Sequence, residues 1–228
     1  MAPEGQESDF GNGFAGESAV EGIERRVIRL LAMVCEALAG ATDALLSGDR
    51  QAARTVAYRD DLIEDLFGET EELVLAHLTS GNRATDRATL DFLAGVLRML
   101  PDIERSGDLA DHIARRAVRG LGVELSPRAR GLVERMGEVT TSMWQAAADA
   151  FADRSVDLAE SIDTLDDEVD DLHVTLTAEI ASGSMPLPVA IESALVARFY
   201  ERLGDHAVNL ARAVIAFVRA VPPRSGRR

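Results

Sequence analysis

The chain has 228 residues, 46% hydrophobic and 28% charged, a balance that is typical of a folded globular protein and excludes an intrinsically disordered one. Its formal net charge of −15 disfavours extended contacts with nucleic acids or anionic lipids. With one cysteine, no run of 18 apolar residues and an acidic, glycine-rich start unlike a signal peptide, we expect a cytoplasmic protein without internal disulfides or membrane insertion.

The first half of the chain has the hydrophobic period of three helices. From Val20 onward, apolar residues recur at steps of three and four, which places them on one helix face. The first helix is expected to end at residues 47–49, the second to span about 51–80, and the third about 85–120.

The second half has the same organisation. Ser126 and Pro127 predict the start of a fourth helix, because serine is a preferred N-cap and proline suits the first helical position. A fifth helix is expected between about 156 and 182, and a sixth from about 186 to 220. Short connections between six long helices predict antiparallel packing, and residues 1–17 and 221–228 are predicted to be flexible tails.

The two halves repeat each other. At an offset of 97 residues, the segment 104–110 (ERSGDLA) matches the segment 201–207 (ERLGDHA). At an offset of 106, six positions of the second helix match the fifth: Ala53, Val56, Asp60, Ile63, Glu64 and Leu66 pair with Ala159, Ile162, Asp166, Val169, Asp170 and Leu172. We therefore predict an all-α fold of two tandem three-helix bundles, residues 18–122 and 123–220, related by an internal pseudo-two-fold repeat.

Four pairs of acidic residues recur at equivalent places in the two halves. The members of each pair are four positions apart and share a helix face. The pairs are Asp60/Glu64 and Glu104/Asp108 in the first half, and Asp166/Asp170 and Glu201/Asp205 in the second. Each pair continues an apolar stripe, so we expect the carboxylates to face a neighbouring helix and not water.

Such clusters need neutralisation, because two carboxylates about 5 Å apart repel by roughly 3 kcal/mol at an effective dielectric constant near 20. A metal ion, the neighbouring Arg105 and Arg202, or protonation could provide it. We favour a metal, and all-oxygen ligands suit hard cations such as Mg²⁺, Mn²⁺, Ca²⁺ or ferric iron. His112 and Asn209 lie one turn further along at equivalent positions and could complete each site.

The other candidate residues are interpreted as structural and not as ligands or catalytic groups. His206 is interpreted as an ordinary surface or cap residue, and Gly107 and Gly204 as positions that let helices approach closely. The sequence has no phosphate-binding loop, nucleophile elbow or Cys/His cluster, so no catalytic residue and no enzymatic activity are predicted.

The segments 104–108 and 201–205, each preceded by an acidic pair about 40 residues upstream, resemble the PhoU family of phosphate-specific transport system accessory proteins. The stretch 199–212 (FYERLGDHAVNLAR) is similar to the family's C-terminal motif, and the resemblance covers about residues 20–220. Ser106 departs from it, since the family has a large aliphatic residue there. The resemblance implies a multi-metal cluster, often iron, in each bundle, with the eight paired carboxylates as ligands and His112 and Asn209 as outer candidates.

The resemblance also implies a function. It predicts a regulator that represses phosphate-starvation signalling by linking the ATPase subunit of the phosphate ABC transporter to a sensor histidine kinase, with a homodimer as an expected assembly. Two alternatives stay open. One is a carboxylate-bridged di-iron oxidoreductase, which needs Glu-x-x-His on two helices, whereas this chain offers only Asp170-x-x-His173. The other is a metal-free helical scaffold that serves another transporter.

Overall fold

The computed structural model describes residues 19–80 and 86–220, and these residues form seven α-helices. The helices are α1 (Ala19–Ser47), α2 (Arg50–Thr79), α3 (Arg87–Arg119), α4 (Leu121–Glu124), α5 (Pro127–Asp153), α6 (Val156–Ala181) and α7 (Leu187–Ala220). The all-α prediction with six long helices is confirmed, and only the four-residue α4 was not foreseen. The predicted tails, residues 1–17 and 221–228, lie outside the described residues.

Local capping chemistry accounts for where the long helices begin and end. The side chain of Ser126 accepts a hydrogen bond from the backbone N–H of Ala129, and Pro127 occupies the first turn, as predicted. Asp49 caps α2 in the same way through two backbone N–H groups. Gly120 ends α3 with φ of 89°, in the left-handed region that favours glycine.

The contacts between helices place α1, α3, α5 and α7 in the centre of the molecule. Within each half the three long helices contact one another, and the halves meet through α1 with α5 and through α3 with α7. Helices α2 and α6 pack on the outside of their own halves. The hydrophobic core is continuous across the halves, and Phe92, Phe151 and Phe217 form an aromatic cluster with ring centroids 5.5 to 6.1 Å apart. The division between residues 122 and 123 stays a prediction.

The short helix α4 approaches the end of α1 at backbone distance. A Cβ on Gly122 would lie 1.6 Å from the Leu45 carbonyl oxygen, so only glycine fits at this position. Arg130 on α5 donates to the carbonyl oxygens of Gly122 and Leu46, and these bonds fix the end of α1 against the start of α5.

Helix α1 is the one helix within the described ranges that is long and apolar enough to cross a membrane. Its apolar residues include Val27, Leu30 and Val34, which are completely buried against other helices of the same chain. Packing of this helix in the core of the fold accounts for its composition.

Candidate metal centres

The four acidic residues of the first half meet between α2 and α3. Asp60 and Glu64 project from α2, Glu104 and Asp108 project from α3, and together with Ile63 they line one pocket of about 80 Å³. The structure therefore brings together the carboxylates that the repeat pattern singled out.

The members of each pair differ in depth. Asp60, Glu104, Asp166 and Glu201 are half-buried, whereas Glu64, Asp108, Asp170 and Asp205 are exposed. The expectation that all eight carboxylates would be shielded from water was thus wrong for the second member of every pair. A residue four positions further along a helix is rotated by about 40° beyond one full turn. This rotation places the second carboxylate of each pair closer to solvent than the first. Each site thus has two half-buried and two exposed carboxylates.

A glycine on the facing helix makes room for the deepest aspartate in each half. A Cβ on Gly107 would lie 2.8 Å from Oδ1 of Asp60, and a Cβ on Gly204 would lie 2.8 Å from Oδ1 of Asp166. Both distances are shorter than ordinary contacts, so any larger residue would displace the carboxylate. The repeated glycines thus serve the acidic sites as well as the approach of the helices.

Burial and neighbouring negative charges raise the pKa of the two half-buried carboxylates of the first site. Burial, followed by the charges of Asp108 and Asp111, raises the pKa of Asp60 to about 6. Burial and then Asp108 also raise the pKa of Glu104, against the opposing effect of Arg105. The charges are therefore close enough to act as one group.

The second site behaves similarly. Burial, followed by Asp170 and Asp205, raises the pKa of Asp166 to about 6. Burial raises the pKa of Glu201, and Asp205 adds to the rise, while Arg198 and His173 oppose it. Arg198 also forms an ion pair with one oxygen of Glu201, so this site has partial neutralisation by arginine.

The donor chemistry of the two sites fits a hard cation. Oε2 of Glu201 and Oδ1 of Asp111 are buried and have no hydrogen-bond partner among the described residues. An orphaned carboxylate oxygen beside other carboxylates can be satisfied by an oxygen-binding cation. As the side chains stand, however, no three His, Cys, Asp or Glu residues of the described chain lie close enough to hold a metal ion.

Both outer candidates, His112 and Asn209, are exposed to solvent. His112 is exposed and does not line the first pocket; its ring packs against Phe199 of α7, with ring centroids 5.5 Å apart. Asn209 is also exposed. Their role as ligands stays a prediction.

The interpretation of His206 as a surface or cap residue was wrong. The side chain is buried between the halves, with Nδ1 2.8 Å from Oγ of Ser106 and Nε2 4.0 Å from Oδ1 of Asp102. Ser106 donates its own proton to the Asp102 carbonyl oxygen, so it accepts from Nδ1–H of His206. This serine is completely buried and its proton is engaged, so the Ser, His and Asp side chains form a structural group and not a nucleophilic triad.

Asp111 was also missed, because it belongs to no repeated pair. It is buried on α3 and pairs with Arg115. The sequence contains one signal for both residues, because each is polar where its counterpart in the other half is apolar. At the offset of 97, Asp111 corresponds to Val208, and His206 corresponds to Leu109.

Comparison with known proteins agrees with this architecture. A family model described as the PhoU domain matches the chain twice, over residues 27–117 and 133–214. A protein from Pseudomonas aeruginosa, named phosphate-specific transport system accessory protein PhoU homolog, is 31% identical over 90% of this chain and 86% of its own length. A relative of the same name from Rhizobium meliloti is 29% identical over 90% of this chain and 87% of its own length.

Solved structures show the same likeness. The crystal structure of PhoU from Pseudomonas aeruginosa has a TM-score of 0.82 and 29% identity, covering 89% of this chain and 98% of that one. The phosphate transport system regulatory protein PhoU from Streptococcus pneumoniae has a TM-score of 0.76 and 22% identity, covering 87% and 94%. At that identity the second likeness concerns the fold alone.

Proposed function

The chain belongs to the PhoU family, and on that premise we propose that it is a cytoplasmic regulator of phosphate transport and of phosphate-starvation signalling. The observation that carries the proposal is the match of the family model to both halves of the chain. Similar proteins that bear the phosphate-transport name cover most of its length, which supports the same role here.

The regulator would act as an adaptor. Its partners would be the ATPase subunit of a phosphate ABC transporter and a sensor histidine kinase, and its effect would be to damp the starvation response when phosphate is plentiful. The long helices offer broad faces for protein contacts, and the net charge of −15 disfavours nucleic acid as a partner. A homodimer is part of the proposal.

The acidic clefts would hold metal ions, with iron, Mg²⁺ or Mn²⁺ as the fitting types. The ligands would be Asp60, Glu64, Glu104 and Asp108 in the first half, and Asp166, Asp170, Glu201 and Asp205 in the second. A bound cation would supply the positive charge that these carboxylates lack. The protein's own contribution is to project two carboxylates from each of two helices and to give the deepest one space over a glycine.

A metal-free scaffold is the second candidate, because no three donors are placed to hold a metal as the side chains stand in the described residues. Elemental analysis of protein purified without chelator or nickel resin separates the two candidates. Stoichiometric metal supports the metal-bound regulator, and protein without any metal supports the scaffold.

Deletion of the gene tests the proposed function. We expect alkaline phosphatase activity to rise well above the repressed level in phosphate-rich medium, because the damping component is gone. The intact gene supplied on a plasmid should restore repression. Alkaline phosphatase at the repressed baseline in the deletion strain, together with unchanged phosphate uptake, would contradict the assignment and favour a regulator of some other transporter.

A further inference from the structure

Asp111 is a buried carboxylate on α3 that has no acidic counterpart in the second half. Asp111 follows Asp108 by three residues and Glu104 by seven, so all three lie on the same face of α3. At the equivalent position of α7 the residue is Val208. At this position of the repeat, the first half thus has a buried carboxylate and the second half has an apolar side chain.

Asp111 has an unusual environment for a carboxylate. Only 3% of the residue is exposed. Its Oδ2 forms an ion pair with Nε of Arg115 at 2.5 Å, while its buried Oδ1 has no hydrogen-bond partner in the described part of the chain. A buried, charged oxygen without a donor costs free energy, and Val208 shows that an apolar residue can occupy the same place in this architecture.

The orphaned carboxylate lies beside the deepest member of the first site. Asp60 Oδ1 lies over Gly107, 2.8 Å from where a Cβ on that glycine would be, and Asp111 follows Gly107 by four residues on the same face of α3. The charge of Asp111 also contributes to the raised pKa of Asp60, after burial and Asp108. Asp60 itself lines the pocket with Glu64, Glu104 and Asp108. A cation in that pocket would therefore lie near Asp111.

We propose that Asp111 supplies its Oδ1 as a fifth carboxylate for a hard divalent cation at the first site, held in position by Arg115, and that the first site consequently binds such cations more tightly than the second. The inference rests on the proposed metal sites and deepens them, since it makes the two halves of the repeat unequal. Affinity for hard cations rises with the number of charged oxygen ligands, which is the physical reason for the inequality.

Titration of metal-free protein with Mn²⁺, followed by electron paramagnetic resonance of the free ion, tests the proposal. The wild-type chain should show a tight and a weak class of sites. Asp111→Val, which copies the second half, should weaken the tight class by about tenfold or more and leave the weak class unchanged. Asp111→Asn keeps the shape and one oxygen, and should weaken it by less.

Asp205→Asn is the matched control, because it should lower the Mn²⁺ affinity of the weak class of sites only. Equal Mn²⁺ affinities for Asp111→Val and the wild type, with circular dichroism showing that both are folded, would overturn the proposal. A wild-type chain that binds no Mn²⁺ would also overturn it. In that case the alkaline phosphatase result, which requires no metal, still decides the proposed function separately.

Thermal melting distinguishes a ligand from a purely structural ion pair. As a ligand, Asp111 costs stability when metal is absent, so metal-free Asp111→Val should melt at the wild-type temperature or above, and Mn²⁺ should raise its melting temperature by less. The opposite result would be a lower melting temperature of metal-free Asp111→Val, combined with an unchanged rise in melting temperature on addition of Mn²⁺. It would show that Asp111 serves only as the partner of Arg115 and would contradict the proposal.

Discussion

His206 makes the contact between the two halves sensitive to protons. Burial lowers its pKa from the ordinary value of 6.5, and Asp102 opposes this effect, while Arg105, Arg202 and Asp205 supply the other facing charges. The folded chain therefore holds His206 neutral, donating from Nδ1 to Ser106. Because the unfolded chain takes up a proton first, the contribution of His206 to stability is present above pH 6.5 and is lost as pH falls.

Replacement of His206 by leucine, the residue at the equivalent position of the first half, isolates this effect. We expect His206→Leu to lose less stability than the wild type between pH 7.5 and pH 5.5, measured as the change in the urea midpoint. The comparison must be made between variants, because Asp60 and Asp166 have raised pKa values of about 6 and their contribution increases as pH falls. Parallel curves for the two proteins would contradict the assignment.

At the scale of single residues, the sequence identifies polar residues that recur in both halves of the chain. Polar residues without such a counterpart were missed. The pairing of Asp60 with Glu104 across two helices could be predicted, because both recur at equivalent places in a second copy. His206 and Asp111 each have an apolar counterpart, so the repeat carries no information about them. Their burial follows from which helices meet, and the hydrophobic period of a single helix does not specify that.

At the scale of elements, the junction of α1, α4 and α5 depends on Gly122. We expect Gly122→Ala to destabilise the fold by about 2–4 kcal/mol, because its Cβ would collide with backbone and not with a side chain that could rotate away. Chemical denaturation measures the change. Gly131→Ala is the control: the structure has no described atom within 4 Å of its Cβ, so alanine should stabilise α5 by up to about 1 kcal/mol. Equal effects of the two changes would show that the junction tolerates a side chain.

The helix boundaries were predictable because their determinants are local. Asp49 and Ser126 cap the residues that follow them directly, and Pro127 suits the first turn of a helix wherever it packs. Helix α4 was not predictable by the same means. Its residues Leu121 and Gly122 are buried, and Gly122 meets the end of α1, so its position follows from tertiary packing and not from a local signal.

At the scale of the whole molecule, the repeat does not imply two independent folding units. Helices α1 and α3 each bury a face against the other half, through α5 and α7. Phe92 of the first half contacts both Phe151 and Phe217 of the second. A continuous core of this kind predicts a single cooperative unfolding transition, because neither half can lose its structure without exposing the apolar surface of the other.

Expression of residues 18–122 alone tests this coupling. The isolated half would expose the faces of α1 and α3 that α5 and α7 cover, and its own smaller core would have to offset the loss of that buried apolar surface. We expect it to self-associate or to melt without a cooperative transition, whereas the full chain melts in one step by calorimetry. Size-exclusion chromatography reports the association. A monomeric half that melts cooperatively within a few degrees of the full chain would instead establish two independent bundles, and the boundary at residue 122 would then be a true domain boundary.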